Sequence, residues 1–218
     1  MASEPVPRVA LIHALLQSIA PVNEEMDRSW PECRRQNLLD DSLSADLARS
    51  GGLDAAMTDR FVRLADYAVR AGAEGILFSC SAFGPCIEEV ARQFAGLPVL
   101  KPNEAMIDEA GRMGGRVGLV ATFGPTLASM GPEFPPGVAV RQALADGALA
   151  ALQAGDGARH DTLVTAAARQ LVEEEGCTII ALAQFSMARA ASTVASAVGR
   201  PVLTPVASAV RAMRERCR

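Results

Sequence analysis

The chain has 218 residues, 50% of them hydrophobic and 21% charged, with a formal net charge of -4 and a pI near 5.3. That is enough apolar material for one large core or two small ones, and it lacks the basic excess of a nucleic-acid binder. Residues 1–7 carry neither the basic flank nor the apolar core of a signal peptide, and no apolar run approaches the roughly 18 residues of a membrane span, so a cytoplasmic protein is expected.

In chain order, Arg-Val-Ala-Leu-Ile-His-Ala at positions 8–14 reads as a strand buried on both faces. A weaker run after Trp30–Cys33 finishes at Leu38-Leu39, and Asp40, Asp41 and Ser42 form a loop. Met57, Phe61, Leu64, Ala65 and Ala68 recur at helical spacing up to Gly72, a suitable stop. A short apolar run from Gly75 then leads to Ser79-Cys80-Ser81-Ala82. Pro85 follows, opening a helical pattern that carries Ile87, Val90, Ala91 and Phe94 on one face. After the short run Pro98 to Leu100, Lys101-Pro102-Asn103-Glu104 opens another helix.

At Arg116 the pattern begins again. Arg-Val-Gly-Leu-Val-Ala-Thr at 116–122 lies over positions 8–14 at an offset of 108, and Gly176 to Gln184 lies over Gly72 to Cys80 at an offset of 104. Gly-Arg-Pro-Val-Leu-Thr-Pro at 199–205 lies over 96–102 at an offset of 103. Two halves of alternating strands and helices predict an α/β fold: two pseudo-symmetric, doubly wound parallel-sheet lobes with a cleft between them. The expected boundaries are 1–103 for the first lobe, 104–204 for the second and 205–218 for a C-terminal helix packing back on the first. The alternative is one continuous sheet showing only the ordinary rhythm of α/β proteins.

Loops at the carboxyl ends of parallel strands are where ligands bind, so the repeat selects candidates in pairs: Cys80 with Gln184, Ser81 with Phe185, Ala82 with Ser186, and Ala14 with Thr122. The five cysteines, Cys33, Cys80, Cys86, Cys177 and Cys217, are odd in number and irregular in spacing, and His13 and His160 are the two histidines. Neither a disulfide framework nor a metal site is expected. Cys80, between a strand end and a helix start, is expected to favour the thiolate, although cysteine also packs as a small hydrophobe. His13 stands at a strand end and titrates in a useful range, although a lone histidine is also commonly structural. Ser81, Ala82, Thr122, Phe123, Gln184 and Ser186 offer N–H groups, hydroxyls or an amide to a carboxylate; loop formation and capping account for the same residues. Asp41 and Ser42 are placed to hold a substrate amine or hydroxyl, or simply form a solvated turn.

Cys80-Ser81-Ala82 after an apolar strand resembles the Cys-Asn-Thr motif of the aspartate/glutamate racemase superfamily. Thr122-Phe123-Gly124-Pro125-Thr126 resembles that superfamily's threonine-bearing loop, and His13-Ala14 its strand-one loop. Hydantoin racemases, maleate isomerases and arylmalonate decarboxylases belong to the same group. The resemblance implies a cofactor-independent enzyme acting on a small carboxylic acid, with two cysteines flanking the substrate carbon. One of them removes a proton and the other returns it from the opposite face. Gly176-Cys177-Thr178 looks like the family's second motif, yet Cys177 begins its strand. Seven strand residues at about 3.3 Å each put it on the order of 23 Å from the ligand edge. The register places Gln184 where the second cysteine belongs. Three outcomes follow: a racemase or isomerase with a substituted second group, a one-cysteine decarboxylase or lyase, and a non-catalytic small-carboxylate binder. The expected partners are a small carboxylic acid and further copies of the chain in a homo-oligomer, with no nucleic acid, membrane or cofactor.

Overall fold

A computed structural model describes residues 6–217. In chain order the elements are β1 (Arg8–His13), α1 (Ile19–Ser29), β2 (Arg34–Leu39), α2 (Ser42–Ser50), α3 (Ala55–Arg70), β3 (Gly75–Phe78), α4 (Gly84–Gln93) and β4 (Val99–Leu100). They continue with α5 (Glu104–Met113), β5 (Arg116–Ala121), α6 (Gly124–Met130), β6 (Ala139–Leu144), α7 (Ala148–Gln153), α8 (Gly157–Glu173) and β7 (Ile179–Leu182). Last come α9 (Ala191–Val198), β8 (Val202–Leu203) and α10 (Pro205–Arg216).

The strands form two separate four-stranded parallel sheets of the same order, β2-β1-β3-β4 and β6-β5-β7-β8, which excludes the single continuous sheet. The chain divides into two compact units. Residues up to Glu104 together with those from Ala209 onward form the first, and Ala105–Ser208 the second.

In the first unit β1 and β3 are central and almost wholly buried, whereas β2 at the edge is half exposed. One face of the sheet is covered by Met57, Phe61, Ala65 and Ala68 of α3 and by Ile87 and Val90 of α4. Phe61 stacks on Phe78 with ring centroids 5.4 Å apart and meets Phe83 at 4.9 Å. Phe83 lies in the turn just after Cys80, so burying its ring anchors that turn to the core. The end of α10 also belongs to this unit: Met213 is buried, and Arg214 donates to the Ser29 carbonyl at 2.7 Å and to Glu32 at 2.9 Å.

In the second unit the sheet is covered on both faces. Val164, Ala168 and Leu171 of α8 pack with Val120, Ile180 and Leu182 on one side. Met106, Ile107 and Ala110 of α5 pack with Val117, Leu119 and Ala121 on the other. Strand β6, Ala-Val-Arg-Gln-Ala-Leu, escapes a hydrophobicity reading because as an edge strand it keeps three polar or small positions exposed. Pro21 sits in the first turn of α1, where its missing N–H costs nothing.

Gly118 in β5 is a packing requirement. A Cβ there would lie 2.8 Å from Ile180 Cδ1, 3.1 Å from Leu171 Cδ1 and 3.2 Å from Cys177 Sγ, all in the core of the second unit. Gly118→Val is expected to destabilise the protein by about 1–3 kcal/mol. The measurement is urea unfolding, with a lowered midpoint at unchanged slope.

Candidate active site

Parallel sheets gather the loops from all their strands on one edge. In the first unit that edge brings together Ala14 after β1, Asp40 after β2 and Cys80 after β3. Cys80 lies two residues beyond β3 with an extended backbone, capping the short 3-10 turn Ser81–Phe83. Its side chain is half-buried, and with Ile12, His13, Ala14, Leu43, Phe61 and Phe78 it lines a recess too tight for a water molecule. Burial pushes the Cys80 thiol up, and the hydrogen bond from the Ala82 N–H opposes this without cancelling it. The expectation of a thiolate therefore fails: α4 begins four residues later at Gly84, and a helix start acts strongly only within about one turn. Ser81 and Ala82 are exposed.

His13 is fully buried, and both of its ring nitrogens are engaged. Nδ1 lies 2.9 Å from Ser79 Oγ and Nε2 lies 3.0 Å from Asn37 Oδ1. The tautomer follows from the surroundings. Asn23 Nδ2 donates to the Ile19 carbonyl at 2.8 Å and to Asn37 Oδ1 at 3.0 Å, so the Asn37 atom facing His13 is an acceptor. Nε2 must then carry the proton, and Nδ1 accepts from the Ser79 hydroxyl. Burial lowers the His13 pKa, opposed by the Asn37 hydrogen bond, and the ring is neutral at physiological pH. His13 thus braces Ser79, the residue next to Cys80.

Ser42 is committed elsewhere. Its Oγ donates to Asp40 at 2.7 Å and receives Arg60 Nη2 at 2.6 Å, while Arg60 also reaches Asp40 and Asp46 at 2.5 Å each. Burial would raise the Asp40 pKa, but hydrogen bonds from Ser42 and Arg60 hold the carboxyl below its usual range. Asp41 beside them is exposed.

In the second unit the equivalent edge is built around Thr122 and Gln184, which follow β5 and β7. Gln184 Oε1 accepts both the Thr122 N–H, at 2.8 Å, and the Thr122 hydroxyl, at 2.9 Å. A backbone N–H can only donate, so the carboxamide orientation is settled and its NH₂ is left to donate outward. Phe123 is half exposed and Ser186 half-buried in the turn Phe185–Ala190. Cys177 is buried at the amino end of β7, its N–H bonded to the Leu171 carbonyl, and takes no part in this edge.

The structure therefore pairs Cys80 with His13 through Ser79, and Thr122 directly with Gln184, while Ser42 turns toward Arg60. Ser79, Asn37, Asn23 and Arg60 were not singled out by sequence. The one available signal was the Ser-Cys-Ser tripeptide, since the other contacts join residues far apart in the chain.

His13 makes acid sensitivity measurable. Its folded pKa lies below the ordinary 6.5, so the unfolded chain binds the proton first and stability falls as pH drops through and below 6.5. In thermal melts from pH 8 to pH 5, His13→Gln is expected to start less stable and to lose less stability toward acid than the parent chain.

The Asp/Glu/Hydantoin racemase family matches residues 22–213. No curated protein matches the chain by sequence. Among solved structures, an allantoin racemase from Klebsiella pneumoniae is similar at a TM-score of 0.74 and 20% identity, over 96% of this chain and 86% of that one. An aspartate racemase homologue from Pyrococcus horikoshii OT3 gives 0.75 at 14% identity, over 97% and 99%. A mutant of arylmalonate decarboxylase gives 0.66 at 16% identity, over 97% and 93%. At these identities the structures speak for the fold, and among the described residues no helix is long and apolar enough to cross a membrane. With two like-ordered parallel sheets and a family match spanning most of its length, the chain belongs to the Asp/Glu/Hydantoin racemase family.

Proposed function

We propose that the protein is a cofactor-independent enzyme that transfers a proton at the carbon next to the carboxylate of a small acid, with Cys80 as the proton carrier. The observation that supports this most directly is the placement of a single half-buried thiol at the carboxyl end of a central strand, in a turn anchored by Phe83. His13 acts through Ser79 to hold that strand end. On the first unit the Ser81 N–H and hydroxyl, and on the second the Phe123 N–H, the Ser186 N–H and hydroxyl and the Gln184 NH₂, are the groups we assign to carboxylate binding; Thr122 serves by orienting Gln184 and Ala82 by holding Cys80. Asp41 is placed for a substrate amine or hydroxyl.

In racemase or isomerase chemistry a second group must serve the opposite face of the carbon. Gln184 holds the position of the second cysteine, and a carboxamide does not exchange protons near neutral pH. That observation favours a second reading, a one-cysteine decarboxylase or lyase. In a malonate-type acid the bond from the carbon to one carboxylate breaks, carbon dioxide leaves, and the electron pair is delocalised onto the remaining carboxylate as an enolate. Loop N–H groups beside Cys80 would stabilise the enolate oxygen. The Cys80 S–H then breaks to form the new C–H bond, and the thiolate recovers its proton from water. A thiol kept protonated by burial suits this step.

A panel of small amino, hydroxy and malonate-type acids incubated in heavy water distinguishes the outcomes by deuterium uptake, chirality and carbon dioxide release. Cys80→Ala is expected to slow any turnover by about 10²–10⁴-fold, the usual worth of a positioned acid or base. Unchanged turnover in that variant would remove Cys80 from the chemistry, and selective binding without turnover would mark a non-catalytic protein. The pH profile carries a sign as well. Exchange of an existing C–H needs the thiolate and is expected to rise toward alkaline pH, whereas protonation after carbon dioxide loss needs the thiol and is expected to fall there.

A further inference from the structure

We infer that α2 is a movable cover over Cys80, with Leu43 as the plug that closes the recess beside the sulfur and Arg60 as the strap that holds the plug in place. The inference rests on the proposed role of Cys80 and adds how access to it is controlled. The walls of the recess differ in how they are held. Ile12, His13 and Phe78 belong to the two central strands, and Phe61 stands in α3, stacked on Phe78. Leu43 is carried instead by the nine-residue helix α2, and among the described side chains of that helix it alone is buried, at 1% exposure. Leu47 leans half-buried on the same core. The remaining attachments are polar: Ser44 donates to the Ala14 carbonyl at 3.3 Å, and Arg60 reaches Asp46 within α2 and Asp40 and Ser42 at its start. Partly exposed ion pairs of this kind hold weakly. Gly51 ends the helix with a φ of 72°, and a Cβ added there or at Gly52 would meet nothing within 4 Å, which leaves room for a hinge. A short segment anchored by so little apolar surface opens at lower cost than the core beneath it.

The second unit supplies the contrast within the same chain. The buried ladder Met57, Phe61, Ala65 and Ala68 of α3 lies over His160, Val164, Ala168 and Leu171 of α8 at an offset of 103, which sets Leu163 at the place of Arg60. Four residues beyond the edge strand, where the first unit has Leu43, the second has Ala148. The unit that carries Gln184 therefore has a methyl group and an apolar side chain where the unit that carries the thiol has a bulky plug and a charged strap. Closed, the cover keeps water from the sulfur and holds it protonated; lifted, it admits the acid. The titratable groups around it are His13 in β1, Asp40 after β2, Asp46 in α2 and Arg60 in α3.

The test is alkylation of the full chain by iodoacetamide from neutral to alkaline pH, with Cys80 and the buried Cys86 followed separately by fragment-ion mass spectrometry. Leu43→Ala is expected to speed Cys80 at least about tenfold at neutral pH and to move the midpoint of its rate profile down by about one pH unit, toward that of a free thiol, while Cys86 stays protected. Asp46→Asn, a surface change that keeps the plug, is expected to speed Cys80 about threefold, the scale of a partly exposed ion pair, and carries the test alone if Leu43→Ala does not fold. Hydrogen exchange is expected to run through 42–50 well before 55–70. Cys80 reacting no faster in either variant than in the parent chain, Cys86 accelerating in step with it, or exchange in 42–50 as slow as in 55–70 would overturn the inference. Neither readout needs turnover, so the two claims separate: a working cover alongside unchanged turnover in Cys80→Ala refutes the proton-transfer reading and leaves the cover standing, and slowed turnover without a cover does the reverse.

Discussion

The hydrogen bond between Ser79 and His13 ties together the ends of the two central strands of the first unit, one residue from the Cys80 thiol. It lies inside the core, where a satisfied pair contributes about 1 kcal/mol but an orphaned partner costs roughly 1–3 kcal/mol. The His13 ring is in turn fixed by Asn37, and Asn37 by Asn23, whose amide is oriented by the Ile19 carbonyl. A chain of forced donor and acceptor assignments therefore runs from the backbone of α1 to the strand end that carries the thiol. On the other side of Cys80, Phe83 is held by Phe61. The turn between these anchors has little freedom, which is what positioning a reactive group requires.

The second unit solves the same problem differently. Its sheet has the same strand order and its loops leave at corresponding places, but the polar link joins two residues beyond the strand ends, where the first unit uses a residue still within β1. Thr122 grips Gln184 directly, and no histidine stands below them. At corresponding positions the first unit presents a group that can exchange a proton and the second a group that can only bind. The fold is repeated and the chemistry is not.

How much of this was readable from sequence follows from where each signal lies. Strands β1, β3, β5 and β7 are buried on both faces, so their apolar runs stand out, and the repeated runs predicted two sheets. Strands β2 and β6 are edges, and Arg141 and Gln142 break the apolar pattern of β6. Cys80 and Gln184 were legible because each follows an apolar run into a loop. The protonation state of Cys80 was not, because it depends on how deeply Phe61, Phe78 and Leu43 enclose the sulfur. The hydrogen-bond partners of His13 were hidden for a similar reason: they are 24 and 66 residues away in the chain, and only folding reveals them.

The same enclosure governs the acid–base behaviour of Cys80. Apolar neighbours that exclude water from Cys80 raise the cost of its thiolate, so a carbanion formed beside it in the proposed reaction would meet a protonated sulfur. A two-thiol racemase needs one sulfur charged and the other neutral at the outset, and a low-dielectric edge opposes that state. In the proposed one-cysteine reading, Cys80 needs no buried thiolate before carbon dioxide departs.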